Sequence, residues 1–146
     1  MKTLLALLLL IPSLSWGNDD LSGKNLICGL DDNKSILVIQ FKEEGLATVF
    51  ASLNFNSDSW NVHDNIHEYK TSLTEITILS SDRPIVINRQ TLDTTYYKKK
   101  SDRTFMNGYC KIAKYERSIN AIESHKNDWN DFMIKKTQSL KEQQKI

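Results

Sequence analysis

Hydrophobic and polar positions divide the chain into three regimes. Residues 4–11 form an unbroken apolar run, residues 25–113 alternate short apolar stretches with polar clusters, and from Lys114 onward apolar residues recur at helical spacing. The middle regime predicts strands. Leu26-Ile27-Cys28 leads into the turn cluster Asp31-Asp32-Asn33-Lys34, and residues 36–41 are apolar and β-branched. Lys42-Glu43-Glu44-Gly45 fits a tight hairpin with Gly in the left-handed region, and residues 46–53 return as a strand. Residues 54–65, rich in Asn, Asp and Ser with Trp60 among them, read as the longest loop of this region. Strands are expected again at 66–71, at 75–79 with Ile76 and Ile78 on one face, at 84–87, at 92–97 and at 105–113. Pro84 is tolerated at a strand's first residue, and the Asn88 side chain can bond the backbone of the turn that follows.

The pattern predicts a mainly β fold, a small antiparallel barrel or sandwich of seven or eight strands. No 10–15-residue helical stretch separates the strands, which argues against a parallel βαβ sheet. From Lys114 to the end there is no Gly or Pro, and Ile119, Ile122, Trp129, Met133 and Leu140 follow a helical stripe that Lys126 and Lys136 interrupt. The expectation is a C-terminal α-helical extension, interrupted or split in two with Asn127-Asp128 capping the second part, loosely packed or held for a partner.

The leading apolar run changes the compartment. Eight residues cover about 12 Å as a helix, far short of a bilayer core of roughly 30 Å. Lys2 is the only charge before Asp19, Pro12 ends the run, and small Ser15 and Gly17 flank Trp16 ahead of Asn18. These are the parts of a signal peptide cleaved after Gly17. The expected organisation is 1–17 signal, 18–113 β domain and 114–146 helical extension, in a periplasmic or secreted protein with no membrane span after cleavage. No Cys follows the cut, so no lipid anchor is expected there.

The chain holds 19 Lys and Arg against 18 Asp and Glu, and loss of Lys2 makes the processed chain neutral. Neutrality argues against a nucleic-acid binder, which needs a basic surface. Cys28 and Cys110 are the only cysteines, and in an oxidising compartment an even pair reads first as a disulfide. That bond closes a loop of about 83 residues, worth at most about 4.5 kcal/mol on the chain-entropy model. A nucleophilic cysteine or half of a metal site are the competing readings, and no base or further ligand is evident for either.

Three constellations carry candidate chemistry. His63 and His67, four apart in His63-Asp64-Asn65-Ile66-His67-Glu68, would share a metal on a helix but stand about 13 Å apart on a strand. Tyr96-Tyr97-Lys98-Lys99-Lys100, with Arg103 nearby, would hold a polyanion, or form a hairpin tip whose lysines protect an edge. Trp60, Trp129 and the strand aromatics line either a core or a ligand cavity. No nucleophile elbow, phosphate-binding Gly loop or catalytic carboxylate pair is present, and no cofactor is implied.

The export signal, the early Leu26-Ile27-Cys28, the stretch Ile87-Asn88-Arg89-Gln90-Thr91-Leu92 and the Gly108-Tyr109-Cys110 triplet resemble a group of short exported proteins of marine bacteria and their phages. The resemblance spans residues 26–111; it implies a small β domain and no activity, and the helical tail here is longer. In architecture alone the chain is similar to periplasmic lysozyme-inhibitor barrels. The resulting expectation is a non-enzymatic domain that binds a protein or envelope component through its loops and C-terminal helix. It would have a filled interior and no polar cluster in a cleft. The alternatives are a carrier with an apolar cavity of several hundred Å³ and, more remotely, a hydrolase using a histidine of residues 63–67.

Overall fold

The structure is a computed structural model that describes residues 20–32, 34–56, 59–80, 83–97 and 105–144. Residues 1–17, expected to be a signal segment, and the cations Lys98, Lys99, Lys100 and Arg103 lie outside the described residues. Eight strands follow in chain order: β1 (Asn25–Leu30), β2 (Ile36–Phe41), β3 (Leu46–Asn56), β4 (Ser59–Thr71), β5 (Glu75–Leu79), β6 (Ile85–Asn88), β7 (Asp93–Tyr97) and β8 (Phe105–Ala113). One helix, α1 (Tyr115–Gln143), follows them. Each strand pairs antiparallel with its chain neighbours, and β1 pairs with β8 from Asn25↔Ala113 to Leu30↔Gly108. The sheet closes on itself as an up-and-down barrel.

Turn chemistry sets the hairpins. Glu44 and Gly45 take φ of 61° and 69° between β2 and β3, the left-handed pair that a tight antiparallel turn requires. Asn88 Oδ1 accepts the N–H groups of Gln90 and Thr91 at 2.9 and 3.0 Å. Asp32 accepts the N–H groups of Lys34 and Ser35 at 3.0 and 2.7 Å, and Ser35 Oγ in turn accepts the Asn54 N–H at 2.9 Å.

Alternation along the strands fills the interior. Leu26, Cys28, Leu37, Ile39, Phe41, Val49, Tyr69, Ile76, Ile78, Ile85, Ile87 and Tyr96 belong to one buried cluster. Leu21 closes the end nearest the chain's start, its N–H donating to the Tyr69 hydroxyl at 3.1 Å, and Tyr69 meets Phe41 edge-on at 4.9 Å. At the β1–β8 seam Cys28 and Cys110 are cross-strand partners joined by a disulfide, with Cα atoms 3.9 Å apart and no solvent exposure. Gly108 stands opposite Leu30, where a Cβ would collide with the Gly29 carbonyl.

Two expectations are corrected. Residues 54–65 are not a loop: β3 runs on to Asn56 and β4 starts at Ser59, so most of the segment is a long hairpin. Asn and Asp disfavour strands, but ladder pairing with β3 from Asn54↔Trp60 to Leu46↔Glu68 overrides that preference. The tail is one 29-residue helix, and Asn127-Asp128 lie inside it rather than capping a second. Lys126 does not break the apolar stripe because its ammonium is satisfied against β3 and β4, 5.7 Å over the Phe50 ring and 3.4 Å from Asp64.

Replacing Cys28 and Cys110 together by Ala frees the 82-residue separation they span and should remove up to about 4.5 kcal/mol of stability. The thermal midpoint is expected to fall by on the order of 10–20 °C. Reductant should shift the parent chain by the same amount and the double variant not at all; equal melting of parent and variant would show that the seam holds without its sulfurs.

Candidate functional site

β4 is 13 residues long and β5 only five. Their ladder covers Glu68↔Leu79 to Thr71↔Ile76 and stops there. Residues 59–67 of β4 pair with β3 alone among the described residues. The barrel therefore gapes on this side, and a cleft of about 450 Å³ enters it between β4 and the β5–β6 connection. Asn61, His63, Asn65 and His67 line one wall, Ser80 and Arg83 the other, with Val49, Ala51, Ile85 and Tyr96 at the floor.

The four β4 residues are successive positions on one strand face. Elsewhere that inward face is mostly apolar; here it is amide, imidazole, amide, imidazole. Neither the imidazoles, the two amides nor the Arg83 guanidinium has a hydrogen-bond partner among the described residues. Among the described residues no Asp or Glu lines the cleft. Its capacity is that of a row of donors and acceptors about 7 Å apart, facing one fixed cation.

A strand lacking one neighbour needs support from behind, and α1 supplies it. The helix runs along the outer face of β2, β3 and β4, burying Ile122 against Val38 and Phe50, with Val62 alongside. Gln40 Nε2 donates to Ser118 Oγ at 3.0 Å near the helix start. Farther along, Trp60 Nε1 donates to Ser52 Oγ at 2.9 Å, and the same hydroxyl meets His125 Nδ1 at 3.2 Å. Trp129 Nε1 donates to the Trp60 carbonyl at 2.9 Å, and Phe132 packs on the Trp60 ring at 5.5 Å. The tryptophans thus join helix to barrel on the outside and line neither the interior nor a ligand cavity. Beyond Phe132 the helix carries exposed Met133, Ile134 and Leu140.

Each residue singled out from the sequence now has a place. His63 sits on a strand instead of a loop, on β4 with His67, and the two are about 13 Å apart by strand rise, too far to share one ion. Among the described residues no group of three or more His, Cys, Asp and Glu could hold a metal. Tyr96 is buried and turned into the cleft floor rather than joining an outer aromatic and cationic patch; Tyr97 ends β7 opposite Phe105, and the four cations lie outside the described residues. The expectation of no polar cluster in a cleft is overturned by the β4 row. Asn61, Asn65, Ser80 and Arg83 were missed, although Trp60-Asn61-Val62-His63 already alternates apolar and polar with period 2.

Fold and cleft together define an eight-stranded up-and-down barrel with a polar, one-sided mouth braced by an external helix. Comparison with protein-family models, curated proteins and solved structures finds no match.

The brace carries a titratable group. Burial pushes the His125 imidazole below its ordinary value, and the Asp128 carboxylate opposes this only in part. Ser52 Oγ already accepts from Trp60, so its own hydrogen is free to donate to an unprotonated Nδ1. With the folded pKa depressed, the unfolded chain binds more protons once pH falls below about 6.5, the ordinary imidazole value. The stabilisation is complete above that pH and declines as pH drops through the folded value. His125→Gln should flatten the fall in thermal midpoint between pH 7.5 and 5 relative to the parent chain; an identical slope in both would exclude His125 as its source.

Proposed function

We propose that this chain is an exported, non-enzymatic binding module that engages a protein or envelope component through the polar mouth of its barrel. The observation that carries the reading is the β4 row: inward side chains with unspent hydrogen-bonding capacity, facing a guanidinium across a cleft open to solvent. Unpaired polar groups at a concave, pre-formed position are what orient a ligand. The braced strand and filled core hold that row rigid, which lowers the ordering cost of binding.

Export is supported by the leading Lys2 and eight-residue apolar run with its small-residue cut site. The disulfide at the seam suits an oxidising compartment. No helix of the described residues is long and apolar enough to cross a membrane.

Capture from an envelope extract tests the reading. A component retained by the parent chain should be lost when Asn65, His67 and Arg83 are changed together to Ala, with folding monitored by the unchanged melting profile. Undiminished capture by the triple variant would move the binding surface elsewhere and sink the cleft as the site.

A further inference from the structure

We propose that the mouth takes an extended peptide segment of a partner protein as an added antiparallel strand on the bare edge of β4. Carboxylate side chains of that segment turn into the cleft, and β-branched apolar side chains turn outward. The inference rests on the binding reading above and names its ligand.

The phase of the ladder shows which backbone groups are bare. Tyr69 N donates to the Gly45 carbonyl at 2.9 Å, and Ser72 N donates to the Glu75 carbonyl at 2.8 Å. Hydrogen-bonded and non-bonded pairs alternate along antiparallel strands. Odd-numbered residues of β4 therefore exchange bonds with β3, and even-numbered ones direct their N–H and C=O groups toward β5. Where β5 has ended, the backbone groups of Val62, Asp64 and Ile66 have no strand partner among the described residues. They repeat every 6.8 Å or so, the repeat of an incoming strand.

Side chains on the two faces specify the rest. The inward face offers Arg83, His63 and His67, with no carboxylate among the described cleft residues. A peptide side chain turned inward meets the Arg83 guanidinium, imidazoles and amide donors, which favours a carboxylate. The outward face offers Ile66 at 68% exposure and, where β5 ends, Leu79 at 38%. Both gain from an apolar neighbour. The third outward residue, Asp64, is engaged by Lys126 at 3.4 Å. A second copy of the chain is a poorer occupant, because β4 against β4 brings two Arg83-bearing mouths side by side. A glycan has no amide ladder to satisfy the bare edge.

The probe is acetyl-(Val-Glu)4-amide, titrated into the full disulfide-bonded chain at pH 7 and followed by heteronuclear NMR. Shifts are expected at residues 59–67 and at Arg83 and Ile85, and acetyl-(Val-Lys)4-amide should bind at least about tenfold more weakly. In an antiparallel addition the peptide residues that exchange bonds with Val62, Asp64 and Ile66 are the valines, whose side chains share the outward face. N-methylation of the valine amides should therefore weaken binding about tenfold or more, and N-methylation of the glutamate amides by less. Ile66→Pro removes an edge donor that β3 does not use, and should abolish the same shifts; Ile66→Thr should keep them.

Equal binding of the two N-methylated peptides overturns strand addition, as does preference for the lysine peptide. Absence of binding by every peptide overturns the inference, while envelope capture that still depends on Arg83 leaves the binding reading standing. Sedimentation of the parent chain as a dimer that Ile66→Pro dissociates would assign the edge to a second copy and likewise overturn it. Because the N-methylation arm alters only the peptide, the outcome does not depend on whether the proline variant folds.

Discussion

Closure of the sheet between β1 and β8 is the constraint on which the rest of the structure depends. Six residue pairs and the Cys28–Cys110 bond lock that seam, so the strands cannot slide there to relieve differences in length. Those differences must appear elsewhere around the ring. They appear on the far side, where β4 is 13 residues and its neighbour β5 is five. A barrel with matched strands has no edges; among the described residues the longest edge of this one lies where its longest strand outruns a short one. The cleft is the geometric consequence, and the covalent seam keeps it from closing by a register shift.

The helix resolves the problem that this creates. A strand paired on one side only loses half of its ladder, and a polar inward face gives it no core to bind. β4 is instead held through its outward face, where Trp60 and Val62 pack beneath α1. The polarity of the strand is inverted relative to its neighbours, apolar outside and polar inside, and each half of that inversion needs the other. Burying the outer face frees the inner one to stay wet. The polar bonds at the seam, Gln40 to Ser118 and Trp60 through Ser52 to His125, satisfy every buried polar side chain there. They fix where along the barrel the helix rests, which the few apolar contacts alone would leave free to slide.

Most of the barrel was legible in the sequence because most of its strands obey one rule, apolar residues alternating toward a shared core. The runs at 36–41, 75–79 and 105–113 match β2, β5 and β8 without correction, and the spacing of two cysteines at opposite ends of the β region matched a closed seam. The cleft was not legible for the same reason. Asn61, His63 and Asn65 look like loop residues when polarity is taken as a sign of disorder in the pattern, yet Trp60, Val62 and Ile66 keep a period of two that Asp64 alone interrupts. What inverted the reading was α1, whose contacts with β4 span 62 and 69 residues of sequence and whose covering of the outer face cannot be inferred from β4 itself. The helix was misread in a related way. Lys126 looked like a break in its stripe because its partner Asp64 and the Phe50 ring belong to strands distant in the chain.

An exposed strand edge is ordinarily a hazard, since any extended chain can add to it. Here the hazard is narrowed rather than removed. A register irregularity between Asn54 and Asn56 disturbs the hairpin near its tip, and strand bulges twist an edge away from flat pairing. Asp64 and Glu68 on the outer face penalise acidic or self-complementary neighbours. The polar inner row penalises any strand that is apolar on both faces, because its inward side chains would leave amides, imidazoles and a guanidinium desolvated and unpaired. An aggregation-prone segment is of that two-sided apolar kind, whereas a segment with carboxylates on alternate positions is not. The features that keep the edge from pairing indiscriminately are therefore the ones that make it selective, and selectivity of this form comes from the cost of the wrong partner as much as from the gain with the right one.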